Sequence, residues 1–187
     1  MLIEEIINGI LPLPPLARQR LEACVTEVAY AKGHILLQAN KVERAMYFIK
    51  KGIVRAYSEY GDNEITFWFG KEGDPVLSMK SYVAKDRGYE DIELLEDCAL
   101  YEIQTSQLEQ LFGEDIHIAN WGRRLAEKEL MKTEERFISR QCRTATERYK
   151  ELIQESPHLL QRVQLGHIAS YLGITQVSLS RIRAEIR

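Results

Sequence analysis

The chain is poor in the residues that staple or anchor a protein. Its three cysteines, Cys24, Cys98 and Cys142, are odd in number and far apart in 187 residues. That spacing suits neither a disulfide framework nor a zinc or iron–sulfur site, and it predicts free thiols in a reducing compartment. Long apolar runs are also missing, and no stretch approaches the ~20 residues of a membrane helix. The opening MLIEEIINGILPLPPL is acidic and broken by prolines, which excludes a basic, continuous signal peptide. Together these absences predict a cytoplasmic protein. Catalytic signatures are absent as well. His34, His117, His158 and His167 are scattered, and no glycine-rich loop precedes a lysine as a phosphate cradle would require. There is no nucleophile elbow. Within the region read as β, only Lys80, Glu90 and Asp91 bring titratable groups near one another. The expectation is no enzyme, no metal and no bound cofactor.

What the chain does have is an uneven charge. The totals nearly cancel, 25 Lys and Arg against 28 Asp and Glu. Residues 1–139 carry 17 basic and 24 acidic groups, a net of −7, whereas residues 140–187 carry 8 and 4, a net of +4. A basic end on an acidic body is the electrostatic footprint of a nucleic-acid-binding segment joined to something else.

The periodicity divides the chain into three. Residues 2–10 space Ile3, Ile6, Ile7 and Ile10 as one helical face, stopped by Pro12, Pro14 and Pro15. Pro15 then opens a second helix over 15–24, with Leu16, Leu21 and Val25 on its inner side. From Val25 the period shortens toward two. VTEVAYA, HILLQ, AMYFIKK, IVRAYSEY, EITFWFG and CALYEIQ are β-branched and aromatic. They are separated by turn signals at Lys32-Gly33, Asn40-Lys41, Lys51-Gly52, Gly61-Asp62-Asn63 and Glu72-Gly73-Asp74. This predicts a sandwich or barrel of roughly eight strands. Pro75 to Asp91 breaks the pattern and reads as a long excursion, the usual form of a binding loop. Helix returns with Ser106 to Phe112, and then with one long helix from Glu114 to about Arg140. Ile118, Trp121 and Leu125, followed by Leu130 and Phe137, come close to a heptad seam with a change of phase. A long helix in a small protein needs something against its apolar face, and a two-fold seam supplies it. Its lysines, arginines and glutamates read as a solvated surface. Thr144 to Glu155 is a further helix on Tyr149, Leu152 and Ile153, ended by Ser156-Pro157.

The last stretch, VQLGHIASYLGITQVSLSRIRAEIR, carries the functional signal. Leu165, Ile168, Ala169 and Leu172 share one helical face; Gly173 permits a sharp turn; Ile174 points inward. Thr175 can cap a second helix whose inner face is Leu179, Ile182 and Ile186. This is the pattern of a helix-turn-helix. On its outer side stand Thr175, Gln176, Val177, Ser178, Ser180, Arg181 and Arg183. Arginine can bond guanine bidentately, glutamine can bond adenine, and valine can touch a thymine methyl. No acid occurs from Gly166 to Ala184, so nothing there repels phosphate. His167 reads as an outward-facing histidine of the first helix, and Arg143 and Arg148 as weaker candidates for backbone phosphates.

In its order of parts the sequence resembles the cyclic-AMP receptor protein / Fnr family of bacterial transcription regulators. The resemblance rests on ERYKELIQESPHLLQRV, HIASYLGIT and SLSRIR, and more loosely on KGHILLQANKVERAMYFIKKGIVRAY and the Glu72-Gly73-Asp74 turn. It implies an α+β chain in three parts. Residues 1–113 would be a double-stranded β-helix, a jelly roll like cyclic-nucleotide-binding domains, and residues 114–140 a dimerisation helix seamed by Ile118, Trp121 and Leu125. Residues 141–187 would be a winged helix-turn-helix, with its wing near Leu160 to Gln164. It further implies a homodimer on a palindromic double-stranded DNA site, RNA polymerase as a partner, no membrane, and a small-molecule effector pocket at Leu77, Ser78, Ser81, Tyr89 and Glu90. Relatives that bind cyclic nucleotides carry Gly-Glu and then Arg-Ser or Arg-Thr to neutralise the phosphate. Here the loop reads Asp74-Pro75-Val76-Leu77-Ser78 and later Gly88-Tyr89-Glu90, with Arg87 out of register. An acid in place of that arginine repels a phosphate, so cyclic AMP is not the expected ligand. Related sequences also often place a proline near Gln164 and an acid near Val177, and both are missing. The alternative function is a ligand-binding signalling module whose helical end docks a protein.

Overall fold

A computed structural model describes residues 1–61 and 63–186. Asp62 of the Gly61-Asp62-Asn63 turn and the terminal Arg187 lie outside the described residues. Two short helices, α1 (Ile3–Ile10) and α2 (Pro15–Glu22), precede eight strands: β1 (Thr26–Tyr30), β2 (Ile35–Leu37), β3 (Ala45–Lys51), β4 (Val54–Tyr60), β5 (Asn63–Gly70), β6 (Pro75–Val76), β7 (Asp91–Leu94) and β8 (Cys98–Gln104). A one-and-a-half-turn helix, α3 (Met79–Ala84), sits between β6 and β7. The excursion from Pro75 to Asp91 thus holds a short strand and a short helix. Then follow α4 (Thr105–Glu114), α5 (Ile116–Cys142), α6 (Ala145–Glu155), α7 (Pro157–Arg162), α8 (Leu165–Tyr171) and α9 (Gln176–Ile186). No described helix is long and apolar enough to cross a membrane.

The strands form two antiparallel sheets of four, in the orders β1-β8-β3-β6 and β2-β7-β4-β5. The first sheet is covered on both faces. Tyr47, Ile49, Cys98 and Leu100 point between the sheets, into a core with Leu37, Val54, Ala56, Ile92 and Leu94. Their alternates Met46, Phe48, Tyr101 and Ile103 point the other way, under α1, α2, α4 and the start of α5. A strand buried on both faces reads as a continuous apolar run, and that is why AMYFI lacks polar alternation. Helix α2 presents Ala17 and Leu21 to this core and leaves Leu16 71% exposed, so the expected place of Leu16 on the inner side is corrected.

Helix α5 corrects the seam. Ile118 and Trp121 are fully buried within their own protomer. The Trp121 indole N–H donates to the Ile7 carbonyl at 3.1 Å, and its ring meets Phe48 edge-on. Leu125 packs at the margin of the same core. Ile118 and Trp121 have no surface left for a second copy. The apolar face that α5 leaves bare lies further along: Leu130, Met131, Phe137 and Ile138 are each more than half exposed. The pairs 130/131 and 137/138 are one heptad apart.

A third core joins the C-terminal head, made of α6 to α9, to the β-domain. Tyr149, Leu152, Leu159, Val163, Ile168, Ala169, Leu172 and Leu179 pack together with Ile53 and Leu95, which border the second sheet. Leu160 to Gln164 is not a wing. Pro157 opens a helix that takes in Leu160, Gln161 and Arg162, and no strand follows β8 among the described residues. Proline at the first helical position has a φ already suited to the helix, and this outweighs the turn signal of Ser156-Pro157.

Candidate nucleic-acid interface

The α8–α9 hairpin is built as its spacing predicts. Gly173 has φ +67°, and its N–H donates to the Ser170 carbonyl while Ile174 N–H donates to Ala169, both at 3.0 Å. This pair of bonds is the left-handed cap that ends a helix on glycine. Thr175 caps α9: its hydroxyl accepts the Ser178 N–H at 3.1 Å. Leu179 is fully buried, and Ile182 and Ile186 pack beside it, so the inner face of α9 is spent on the core.

The seven outer residues divide by what their polar atoms already do. Gln176, Val177, Arg181 and Arg183 are exposed, and neither arginine has a carboxylate partner among the described residues. Thr175 and Ser178 share a hydroxyl–hydroxyl bond of 2.9 Å, and Ser180 Oγ donates back to the Gln176 carbonyl at 3.0 Å. Those three hydroxyls therefore stabilise α9 itself and leave the two arginines, Gln176 and Val177 as the free functional groups. Val177 is 62% exposed at the second position of the helix, an apolar contact at the end that enters a groove in helix-turn-helix proteins.

Two weaker candidates have structural partners. The Arg148 guanidinium donates to the carbonyls of Arg143 at 2.5 Å and Leu172 at 2.7 Å, tying the ends of α5 and α8 together. It satisfies carbonyls that would otherwise be orphaned at two helix ends. Arg143 pairs with Glu151. His167 is not outward-facing. It is half-buried toward Arg55, Glu64 and Glu93 of the β-domain, and burial, with Arg55 next, lowers its pKa.

The five residues expected at an effector pocket do not converge. Ser78, Ser81 and Glu90 are buried, at 2%, 2% and 5% exposure, but Tyr89 is 61% exposed. Leu77 packs against the helical core on the far side of the first sheet. Ser81 Oγ accepts the Glu43 N–H at 3.1 Å and donates to the Asp86 carbonyl at 3.0 Å, so it stitches loops together. Glu90 accepts the Tyr89 N–H at 3.0 Å. A side chain on Gly88 would come within 2.6 Å of Ser78 Oγ, which shows how closely this loop is packed. Arg87 is exposed, and the carboxylate of Asp86 takes its backbone N–H at 2.7 Å. Among the described residues the buried arginine is Arg55, and it pairs with Glu64 and Glu93, not with Ser78 or Glu90.

Sequence reasoning missed two features. One is that Leu130 and Phe137, read as part of the heptad seam, form with Met131 and Ile138 a bare stripe separate from the buried Ile118 and Trp121. The other is a cleft of about 730 Å³ between β5, the end of α5 and the head, reached by Arg136, Arg140, Trp68 and Tyr171. No local pattern announces a space between domains.

Residues 27–115 match the family model for the cyclic nucleotide-binding domain. No curated protein is significantly similar in sequence. Among solved structures, FixK2 from Bradyrhizobium japonicum superposes with a TM-score of 0.76 at 21% identity, over 87% of this chain and 84% of its own. The c-di-GMP-responsive global regulator CLP of Xanthomonas campestris gives 0.73 at 18% identity, over 92% and 91%. A Crp/Fnr-family transcriptional regulator from Eubacterium rectale gives 0.73 at 17%, over 93% and 85%. Residues 27–115 are accordingly similar to the cyclic nucleotide-binding domain, and the chain shares its fold with FixK2, CLP and the Crp/Fnr-family regulator.

Proposed function

We propose that this chain is a homodimeric, sequence-specific DNA-binding transcription regulator of the Crp/Fnr type, whose β-domain answers to something other than cyclic AMP. The observation that carries the reading is the state of α9. Its inner face is used in the core, and it holds out Gln176, Val177, Arg181 and Arg183, with no acid from Gly166 to Ala184 and no carboxylate paired to either arginine among the described residues. An exposed polar face that the fold does not need is what a reading helix requires. The exposed Leu130, Met131, Phe137 and Ile138 support a two-fold pairing that would bring two such helices into one dimer, as a palindromic site demands. The negative part of the proposal is supported by Glu90, a buried acid in the loop where cyclic-nucleotide-binding relatives, by the resemblance, carry an arginine.

Selection from a randomised duplex pool tests the reading directly. A two-fold symmetric site is expected to be enriched, with affinity falling steeply as salt rises. Arg181→Ala is expected to cost about 1–3 kcal/mol and to relax one base pair in each half-site. A uniform loss on all sequences would make Arg181 a phosphate contact instead. Absence of any enriched site would favour a module whose helical end docks a protein.

A further inference from the structure

The head and the β-domain meet along the edge of the second sheet. Strand β5 is the outer strand there, so one row of its backbone groups has no strand partner. Ser170 of α8 occupies that row. Its hydroxyl accepts the Thr66 N–H at 2.9 Å and donates to the Glu64 carbonyl at 2.7 Å. A single side chain of the head thus does what a residue of a ninth strand would do. One ring contact lies beside it, with Phe69 and Tyr171 at 5.2 Å between centroids.

His167 lies one turn before Ser170, on the same face of α8. Charged groups reach it from every element packed against it: Arg55 from β4, Glu64 from β5, Glu93 from β7 and Lys32 from the turn after β1. Arg55 is 3% exposed and already binds both carboxylates, Glu64 at 2.7 Å and Glu93 at 2.9 Å. Its guanidinium also covers the Tyr57 ring at 4.1 Å. Among the described residues, His167 Nδ1, Arg55 Nε and Thr66 Oγ1 are buried at this seam without a partner. A protonated imidazole would bring a second cation, with an N–H that has no acceptor, against a guanidinium that has already engaged the nearby carboxylates.

We propose that His167 and Ser170 form an acid-released latch between the α8–α9 hairpin and the β4–β5 edge, closed with a neutral imidazole and opened when the imidazole takes up a proton. The latch is a property of the free protein and does not rest on DNA binding. The sign follows from which state binds the proton less well. Burial first, and Arg55 second, lower the docked imidazole's pKa from its usual 6.5, and Glu93 and Glu64 only partly oppose them. Docking is at full strength above that usual value. It weakens as pH falls below it, by at most about ten-fold per pH unit for one proton.

Hydrogen exchange of the Thr66 amide reads the latch, because its acceptor belongs to the other domain. After correction for the intrinsic exchange rate, protection at Thr66 is expected to fall about ten-fold between about pH 7.5 and about pH 5.5, while amides of β3 and β8 keep theirs. Ser170→Ala is expected to lose that protection at both pH values. His167→Gln is expected to keep it and to show no pH dependence. Protection at Thr66 that stays level in the wild type, or a pH dependence that survives in His167→Gln, would overturn the latch. If His167→Gln fails to fold, NMR titration of the wild-type imidazole decides. A His167 pKa below the ordinary imidazole value supports the latch, and one at or above it overturns it.

Discussion

The two halves of α5 have similar apolar content and opposite fates. From Ile116 to Leu125 the helix lies on its own β-domain and puts Ile118 and Trp121 out of reach of solvent. From Leu130 onward Lys132 still reaches Asp74 at 3.3 Å, but Leu130, Met131, Phe137 and Ile138 stay exposed. The head does not close over them, because it leans on the second sheet and leaves a cleft against the end of α5. One continuous helix therefore serves two purposes. Its first half is part of a core, and its second half is an exposed apolar stripe, the surface that the proposed dimer would cover.

The comparison breaks most severely at Trp121. Trp121→Ala empties a fully buried site and removes the bond to Ile7; a loss of about 3–5 kcal/mol of protomer stability is expected in urea unfolding. The counterpart in the bare half is Phe137, 64% exposed. Phe137→Glu is expected to leave protomer stability within about 0.5 kcal/mol of wild type while abolishing dimers in sedimentation velocity. If Phe137→Glu remained dimeric, the seam would have to lie elsewhere.

Arg162 tests what keeps the head off α5. Its guanidinium bonds Glu72 at 2.9 Å and Glu96 at 2.6 Å, clamping α7 to two loops of the β-domain. Arg162→Met is expected to cost about 1–2 kcal/mol, read as a lower Tm. A pH limb accompanies it. Burial alone would raise the Glu72 carboxyl, but Arg162 and the Gly52 N–H outweigh burial and hold it at about 2, below the ordinary 4.5. A carboxyl lowered in the native state stabilises the fold above its ordinary value. That contribution is lost as pH falls from 4.5 through about 2, and Arg162→Met should flatten this limb of the acid denaturation curve. The smallest effect is expected at the start of the buried half, where Asp115 caps α5 by accepting the His117 N–H at 2.9 Å. Asp115→Ala should cost about 1 kcal/mol in the same unfolding experiment, with the oligomeric state unchanged.

Much of this molecule is legible from residue order. The α8–α9 hairpin follows from Gly173, Thr175 and two apolar faces, because helix caps and helical periodicity are local. The strands follow from β-branched runs between glycine turns, for the same reason. The misread residues are those whose role depends on distant neighbours. His167 falls off the apolar stripe of Leu165, Ile168, Ala169 and Leu172 and so reads as exposed, yet β4 and β5 arrive over it from a hundred residues away. Arg148 looks like a free surface arginine until the carbonyls of Arg143 and Leu172 come together beside it. The effector pocket was placed by register with relatives, and register says nothing of how Leu77 and Tyr89 turn.

By itself the sequence determined most of the longer helices and strands, where the α8–α9 hairpin lies, and that no acid occurs on it from Gly166 to Ala184. Those features depend on spacing within a few residues, where backbone geometry and capping act. Only the tertiary structure decided that Trp121 belongs to the protomer core, that the bare part of α5 starts near Leu130, and that α8 rests on the edge of β5. A helical stripe records that it must be covered, but the identity of the cover is set by how the two sheets, the long helix and the head fill space together.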